Sequence, residues 1–97
     1  MIKIVLVDDE PFSRIGFKSL INWEENGFSI EGEASNGKEA LEVIKEVNPD
    51  IIITDIKMPV MDGIDLIKEV CKLKRRPEII VLSCFDDFNY VKDALKM

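Results

Sequence analysis

The stretch from Asp50 to Gly63 reads D-I-I-I-T-D-I-K-M-P-V-M-D-G. Asp50 to Asp55 sets Ile51, Ile52 and Ile53 between carboxylates, and an apolar, β-branched run without polar alternation is what a strand covered on both faces of a parallel sheet shows. Ile56 to Asp62 is then a loop punctuated by Pro59. From Gly63 the residues Ile64, Ile67, Val70 and Cys71 recur at helical spacing, so the stretch makes one strand, one loop and one helix.

The same unit repeats outward in both directions. Toward the start, Asn36 can cap a helix over Gly37 to Val47, with Ala40, Val43, Ile44 and Val47 on one face and Asn48-Pro49 as its stop. Phe28 to Ala34 precedes it as an edge strand in which Phe28, Ile30 and Gly32 alternate with Ser29, Glu31 and Glu33. Before Gly27, the residues Phe12, Ile15, Phe17, Leu20 and Ile21 supply the apolar face of a helix that starts at Pro11 and runs to Asn22. Ile2 to Val7 opens the chain as an apolar strand that stops at Asp8-Asp9. Toward the end, the basic run Lys72, Lys74, Arg75 and Arg76 is a solvated helix C-terminus, where cations are favoured, and Pro77 closes it. Glu78 to Ser83 is a fourth strand, and Phe88, Val91, Ala94 and Leu95 stripe a fourth helix. Four βα units in series imply parallel strands with helices on both faces, and in such open sheets the ligand site lies beyond the carboxyl ends of the strands.

Composition narrows the chemistry. A chain of 97 residues is one domain, and 13 Lys plus Arg against 19 Asp plus Glu give a net charge of -6, which removes the basic field that dominates nucleic-acid affinity. The absence of histidine excludes Ser-His-Asp and Cys-His catalysis, His-ligated zinc and a histidine phosphorelay within the chain. No apolar run exceeds four residues, as in Ile4 to Val7, so nothing marks a membrane span or a secretory signal, and a cytoplasmic location is expected. Cys71 and Cys84 are not spaced as a redox pair and read as reduced, buried side chains.

What remains is carboxylate, and it collects at strand ends. Asp8 and Asp9 follow the first strand, Asp55 ends the third and Ser83 ends the fourth. Singly, each has a bland explanation: a pair favoured by a helix dipole, a turn-forming Asp, a hydroxyl satisfying the backbone. Placed together, like charges repel and call for a cation. Oxygen ligands alone suit a hard ion such as Mg²⁺, which keeps several waters and binds through carboxylates plus a phosphate.

V-D-D-E at Val7 to Glu10, the stretch at Asp50 to Gly63 and I-I-V-L-S at Ile79 to Ser83 together resemble the receiver domain of two-component response regulators. I-N-W-E-E-N-G-F at Ile21 to Phe28 and D-D-F-N-Y-V-K-D-A-L at Asp86 to Leu95 are similar to receivers linked to AraC-type DNA-binding output domains. The resemblance implies a flavodoxin-like (CheY-like) α/β fold, a doubly wound parallel sheet in order 2-1-3-4-5, here (βα)4 of the usual (βα)5. It implies Asp55 as phosphoacceptor from a sensor histidine kinase, with Mg²⁺ held by Asp8, Asp9, Asp55 and the backbone carbonyl of Lys57. Ser83 would be the switch hydroxyl that meets the attached phosphoryl group, and Pro59 and Gly63 would shape the loop after the acceptor. DNA would be reached only through an output domain outside this chain, and no membrane partner is implied.

The family's fifth strand, with an aromatic switch residue and a phosphoryl-pairing Lys, and its fifth helix are not in this sequence, which ends at Met97; residues 1–97 therefore read as a C-terminally truncated receiver. Cys84 stands where the family usually has something smaller. The truncation is expected to leave the fourth strand with an open edge, to strip cover from the first and third strands, and so to favour self-association. Two rivals stay in view. A receiver-like interaction module that is not phosphorylated would keep the fold alone, while aspartyl-phosphate hydrolases place their nucleophile in a D-x-D after the first strand, where this chain has adjacent acids.

Overall fold

In the computed structural model, residues 1–56 and 58–82 are described. They form β1 (Ile2–Val7), α1 (Pro11–Lys18), a 3-10 turn at Glu24–Asn26, β2 (Phe28–Ala34), α2 (Gly37–Val47), β3 (Ile51–Asp55), α3 (Gly63–Val70) and β4 (Glu78–Leu82). The fourth helix read over Phe88 to Leu95, and Lys57, Ser83 and Cys84, lie outside the described residues. All strand pairs are parallel and the sheet order is β2-β1-β3-β4, the doubly wound order expected.

The sheet divides its side chains between two cores. On one face Val5, Val7, Ile52 and Ala34 pack with Ala40 and Ile44 of α2 and Leu66 and Val70 of α3. On the other, Ile4, Leu6 and Ile53 are packed by Phe17, Trp23, Phe28 and Ile30. Consecutive β1 residues Ile4 to Val7 are all at most 2% exposed, which is why the strand carries no alternation. Expected loss of cover from β1 and β3 does not occur, since Ile4, Leu6 and Ile53 are 1%, 2% and 4% exposed. An aromatic group packs on these side chains: Trp23 stacks on Phe17 at 4.9 Å between ring centroids and meets Phe28 edge-on at 6.1 Å.

Three boundaries differ from the sequence reading. The first helix stops at Lys18, where the Ser19 amide bonds back to Ile15 and Gly16, rather than running to Asn22. Leu20 and Ile21 share the helical spacing of Phe17 but lie beyond the end of α1 and are exposed, while Phe12 and Ile15, inside α1, are exposed because at 100° per residue they fall on the side of the helix away from Phe17. Cys71 caps the last turn of α3 and is exposed, not buried, because the apolar face of α3 ends at Val70. In β2 the alternation breaks: Ile4 pairs with Ile30 but Val5 with Gly32, so Glu31 is bulged out of register. The bulge inverts the phase of the strand. Phe28 and Ile30 stay on the α1 side, whereas Gly32 and Ala34 turn under α2, where a Cβ at Gly32 would stand 2.5 Å from a Val43 methyl carbon.

Candidate metal and phosphoryl site

Parallel register brings the carboxylates together. Val7 is level with Thr54 across β1 and β3, so the residues that follow, Asp8 and Asp55, leave the sheet side by side. Carboxylate oxygens of Asp8, Asp9 and Asp55 all lie within 4.8 Å of one another, and the three residues are half-buried. The two sides of the crevice thus come from strands that are neighbours in space and about fifty residues apart in sequence.

Asp8 and Asp55 are held by their surroundings. The Asp8 amide extends the β1–β2 ladder by donating to the Ala34 carbonyl at 3.0 Å, and its Oδ1 accepts from the Glu10 amide at 2.9 Å. That turn answers part of the bland reading of Asp8, since α1 has no side-chain cap and no acid in its first turn. Arg14, one turn into α1, donates from Nη1 to the Asp8 backbone carbonyl, and its Nε lies 3.3 Å from Glu33 Oε1. Lys18 completes the group at 2.7 Å from Glu33 Oε2. Neither Arg14 nor Glu33 stood out in the sequence, where they are separated by two turns and a bulge whose phase shift alone puts Glu33 on the α1 side.

Asp55 receives the Ile56 amide on Oδ1 at 2.7 Å. The loop beyond it is fastened from below by Ile56 and Met58, both buried. Gly63 closes the loop: its amide donates to the Ile56 carbonyl at 2.7 Å, and a Cβ there would collide with the backbone carbonyl oxygen of Asp55. Asp62 caps α3 by accepting from the Asp65 amide at 2.9 Å. Gly37 at the start of α2 donates to the Met61 carbonyl at 2.8 Å, joining two helix starts through this loop. Within it, Val60 has φ 68°, the left-handed region that a β-branched side chain avoids.

An octahedral Mg²⁺ at about 2.1 Å from its ligands sets them about 3 to 4.2 Å apart, so carboxylate oxygens within 4.8 Å need only small rotations to meet one ion. The donor set is oxygen only and carries like charge. These residues fit a hard divalent cation. A cleft of about 600 Å³ lies elsewhere, between Lys18 to Glu24 and the Ser29 to Glu31 edge, and none of the three aspartates lines it. The carboxylates suit an ion and a small charged group.

The response regulator receiver domain model matches residues 4–97. The transcriptional regulatory protein YesN of Bacillus subtilis is 48% identical over 96 residues, spanning 99% of this chain and 26% of that protein. The chain thus covers about a quarter of that relative's length. The receiver domain of AraT, a response regulator from Geobacillus stearothermophilus, superposes with a TM-score of 0.87 at 33% identity, over 97% of this chain and 73% of that one. A CheY from Borrelia burgdorferi, solved in complex with CheX, BeF3 and Mg²⁺, has a TM-score of 0.80 at 30% identity, over 98% of this chain and 71% of that one.

Proposed function

The chain belongs to the response regulator receiver domain family, and from that premise we propose that it is a phosphorylatable switch whose acceptor is Asp55. The single observation that carries this reading is the meeting of the Asp8, Asp9 and Asp55 oxygens within 4.8 Å at the carboxyl ends of β1 and β3. An oxygen of the Asp55 carboxylate attacks phosphorus, the P–N bond of a phosphohistidine on a sensor histidine kinase breaks, and the imidazole leaves with the electron pair. An acyl phosphate remains on Asp55. In so loose a transfer the protein's work is to place the groups and to offset charge on the phosphoryl oxygens.

Asp8, Asp9 and Asp55, with the Lys57 carbonyl, would hold Mg²⁺, which supplies positive charge to the phosphoryl group when bound. The Borrelia CheY solved with Mg²⁺ and BeF3 supports that assignment. The Ser83 hydroxyl is proposed to donate to the attached phosphoryl group. Response regulator receivers are signalling modules rather than turnover enzymes, and the regulatory relatives support an output in transcription, delivered by a DNA-binding domain outside residues 1–97. Among the described residues no helix is long and apolar enough to cross a membrane. We also place this chain in the cytoplasm, where its kinase partner would present the phosphohistidine.

Acetyl phosphate with Mg²⁺ tests the reading without a kinase. One phosphoryl group, about 80 Da, should appear on the wild-type chain and be absent from Asp55→Asn, read by intact mass. Equal labelling of both would move the nucleophile elsewhere, and no labelling of either would favour the interaction module that is not phosphorylated.

A further inference from the structure

Asp8 is gripped at both ends of its backbone, by β2 at its amide and by an α1 side chain anchored on β2 at its carbonyl. Its amide donates to the Ala34 carbonyl, and its own carbonyl accepts from Arg14, whose Nε reaches Glu33, the residue just before Ala34. The contacts close a ring from Asp8 through Arg14 to Glu33 and back along one peptide step of β2. The gripped carbonyl belongs to the peptide unit between Asp8 and Asp9, so the plane that Arg14 fixes sets the direction of both side chains. Arg14 is itself held in place, with its side chain only 18% exposed.

We infer that Arg14 is a positioning residue for the acid cluster: by holding the Asp8–Asp9 peptide against β2 it keeps both carboxylates where one divalent cation bridges them to Asp55. The inference rests on the metal-site reading above. It separates from simple electrostatics by sign. A guanidinium beside a cation site repels the cation, so on charge alone its removal tightens Mg²⁺ binding. Positioning requires the opposite, because a freed peptide plane lets the two carboxylates point apart.

Calorimetric Mg²⁺ titration of the 97-residue chain decides between them, using Arg14→Met, Arg14→Lys, Glu33→Ala and Asp9→Asn beside the wild type. Arg14→Met should weaken Mg²⁺ binding about tenfold, the scale at which partners behind metal ligands act. Arg14→Lys should restore much of the loss, since an ammonium can donate to the same carbonyl, and a role confined to fold stability would show no such rescue in affinity. Glu33→Ala should weaken binding less, by removing only the anchor of Nε, and it supplies the answer if Arg14→Met does not fold. Unchanged or tighter Mg²⁺ binding in folded Arg14→Met, or an unchanged affinity in Glu33→Ala where that variant must answer, overturns the inference. Asp9→Asn separates the two readings: if it binds Mg²⁺ like wild type, the metal site itself is misassigned, whereas loss there with none in Arg14→Met removes Arg14 alone.

Discussion

At the scale of single residues, the loop after Asp55 combines firm anchoring with one unfavourable backbone angle. Ile56 and Met58 are sunk in the core and Gly63 is pressed against the Asp55 carbonyl, while Val60 between them sits at φ 68° with 79% of its surface exposed. A left-handed conformation costs an L-residue with a branched Cβ about 1–2 kcal/mol, and an exposed side chain recovers little of that by packing. Val60→Asn keeps a side chain that tolerates this region, so it should raise stability by about 1 kcal/mol, measured by urea unfolding. A loss of stability would mean that the Val60 side chain makes contacts that outweigh its strain. The aspartates were visible in the sequence because acids close two apolar strand runs whose ends meet in one crevice, and Gly63 because it ends the stretch that resembles a receiver's acceptor loop. Arg14 and Glu33 were not, because each is an ordinary charged residue on an amphipathic segment until a bulge turns one toward the other.

Among the elements, β1, β3 and β4 are tied at their amino ends by Asp50. Its amide donates to the Lys3 carbonyl, its carbonyl accepts from the Glu78 amide, and its side chain accepts from the Lys3 amide at 2.9 Å and from Arg75 at 2.7 Å. The Lys3 amide, more than the nearby positive charges, holds the Asp50 carboxyl below its ordinary range. A depressed folded-state pKa contributes stability that is present above the unfolded value and lost as pH falls through the folded one. Asp50→Asn should therefore be less stable than wild type near neutral pH, with the gap closing as pH drops below about 4. A gap independent of pH in thermal melts would show that the charge on Asp50 is not what matters. The strands and α2 were legible from period and caps, since Asn36 accepts from the Glu39 amide at 2.8 Å and Asn48 ends α2 at φ 53°. The end of α1 was not, because apolar Leu20 and Ile21 continue a rough helical spacing without packing on anything that would reward it.

For the molecule as a whole, apolar surface remains on the side of the sheet that carries α1. Phe12 and Ile15 are 84% and 55% exposed, and Ile80 and Leu82 of β4 are 47% and 41% exposed. Among the described residues β4 is an edge strand, and an apolar edge is a template for pairing with another chain. We propose that the 97-residue chain self-associates through this edge and face. Sedimentation at micromolar concentration should show species larger than a monomer, shifted toward monomer by Leu82→Lys. A cooperatively folded wild-type monomer would overturn the proposal.

Some of this protein was decided by sequence alone. Buried parallel strands need unbroken apolar runs, helices need caps and a 3.6-residue period, and acids at strand ends have one crevice to face, so the strand positions, sheet class and the Asp8, Asp9 and Asp55 cluster follow from local rules. Other features exist only once the chain is folded. The bulge at Glu31 arises because β2 must place Gly32 and Ala34 under α2, the burial of Ile4, Leu6 and Ile53 comes with an aromatic group drawn from α1, the segment after it and β2, and the grip of Arg14 on the Asp8–Asp9 peptide joins residues from different elements. These depend on which surfaces meet at a distance along the chain, and a one-residue phase shift, invisible to composition or period, decides which side chains share a face.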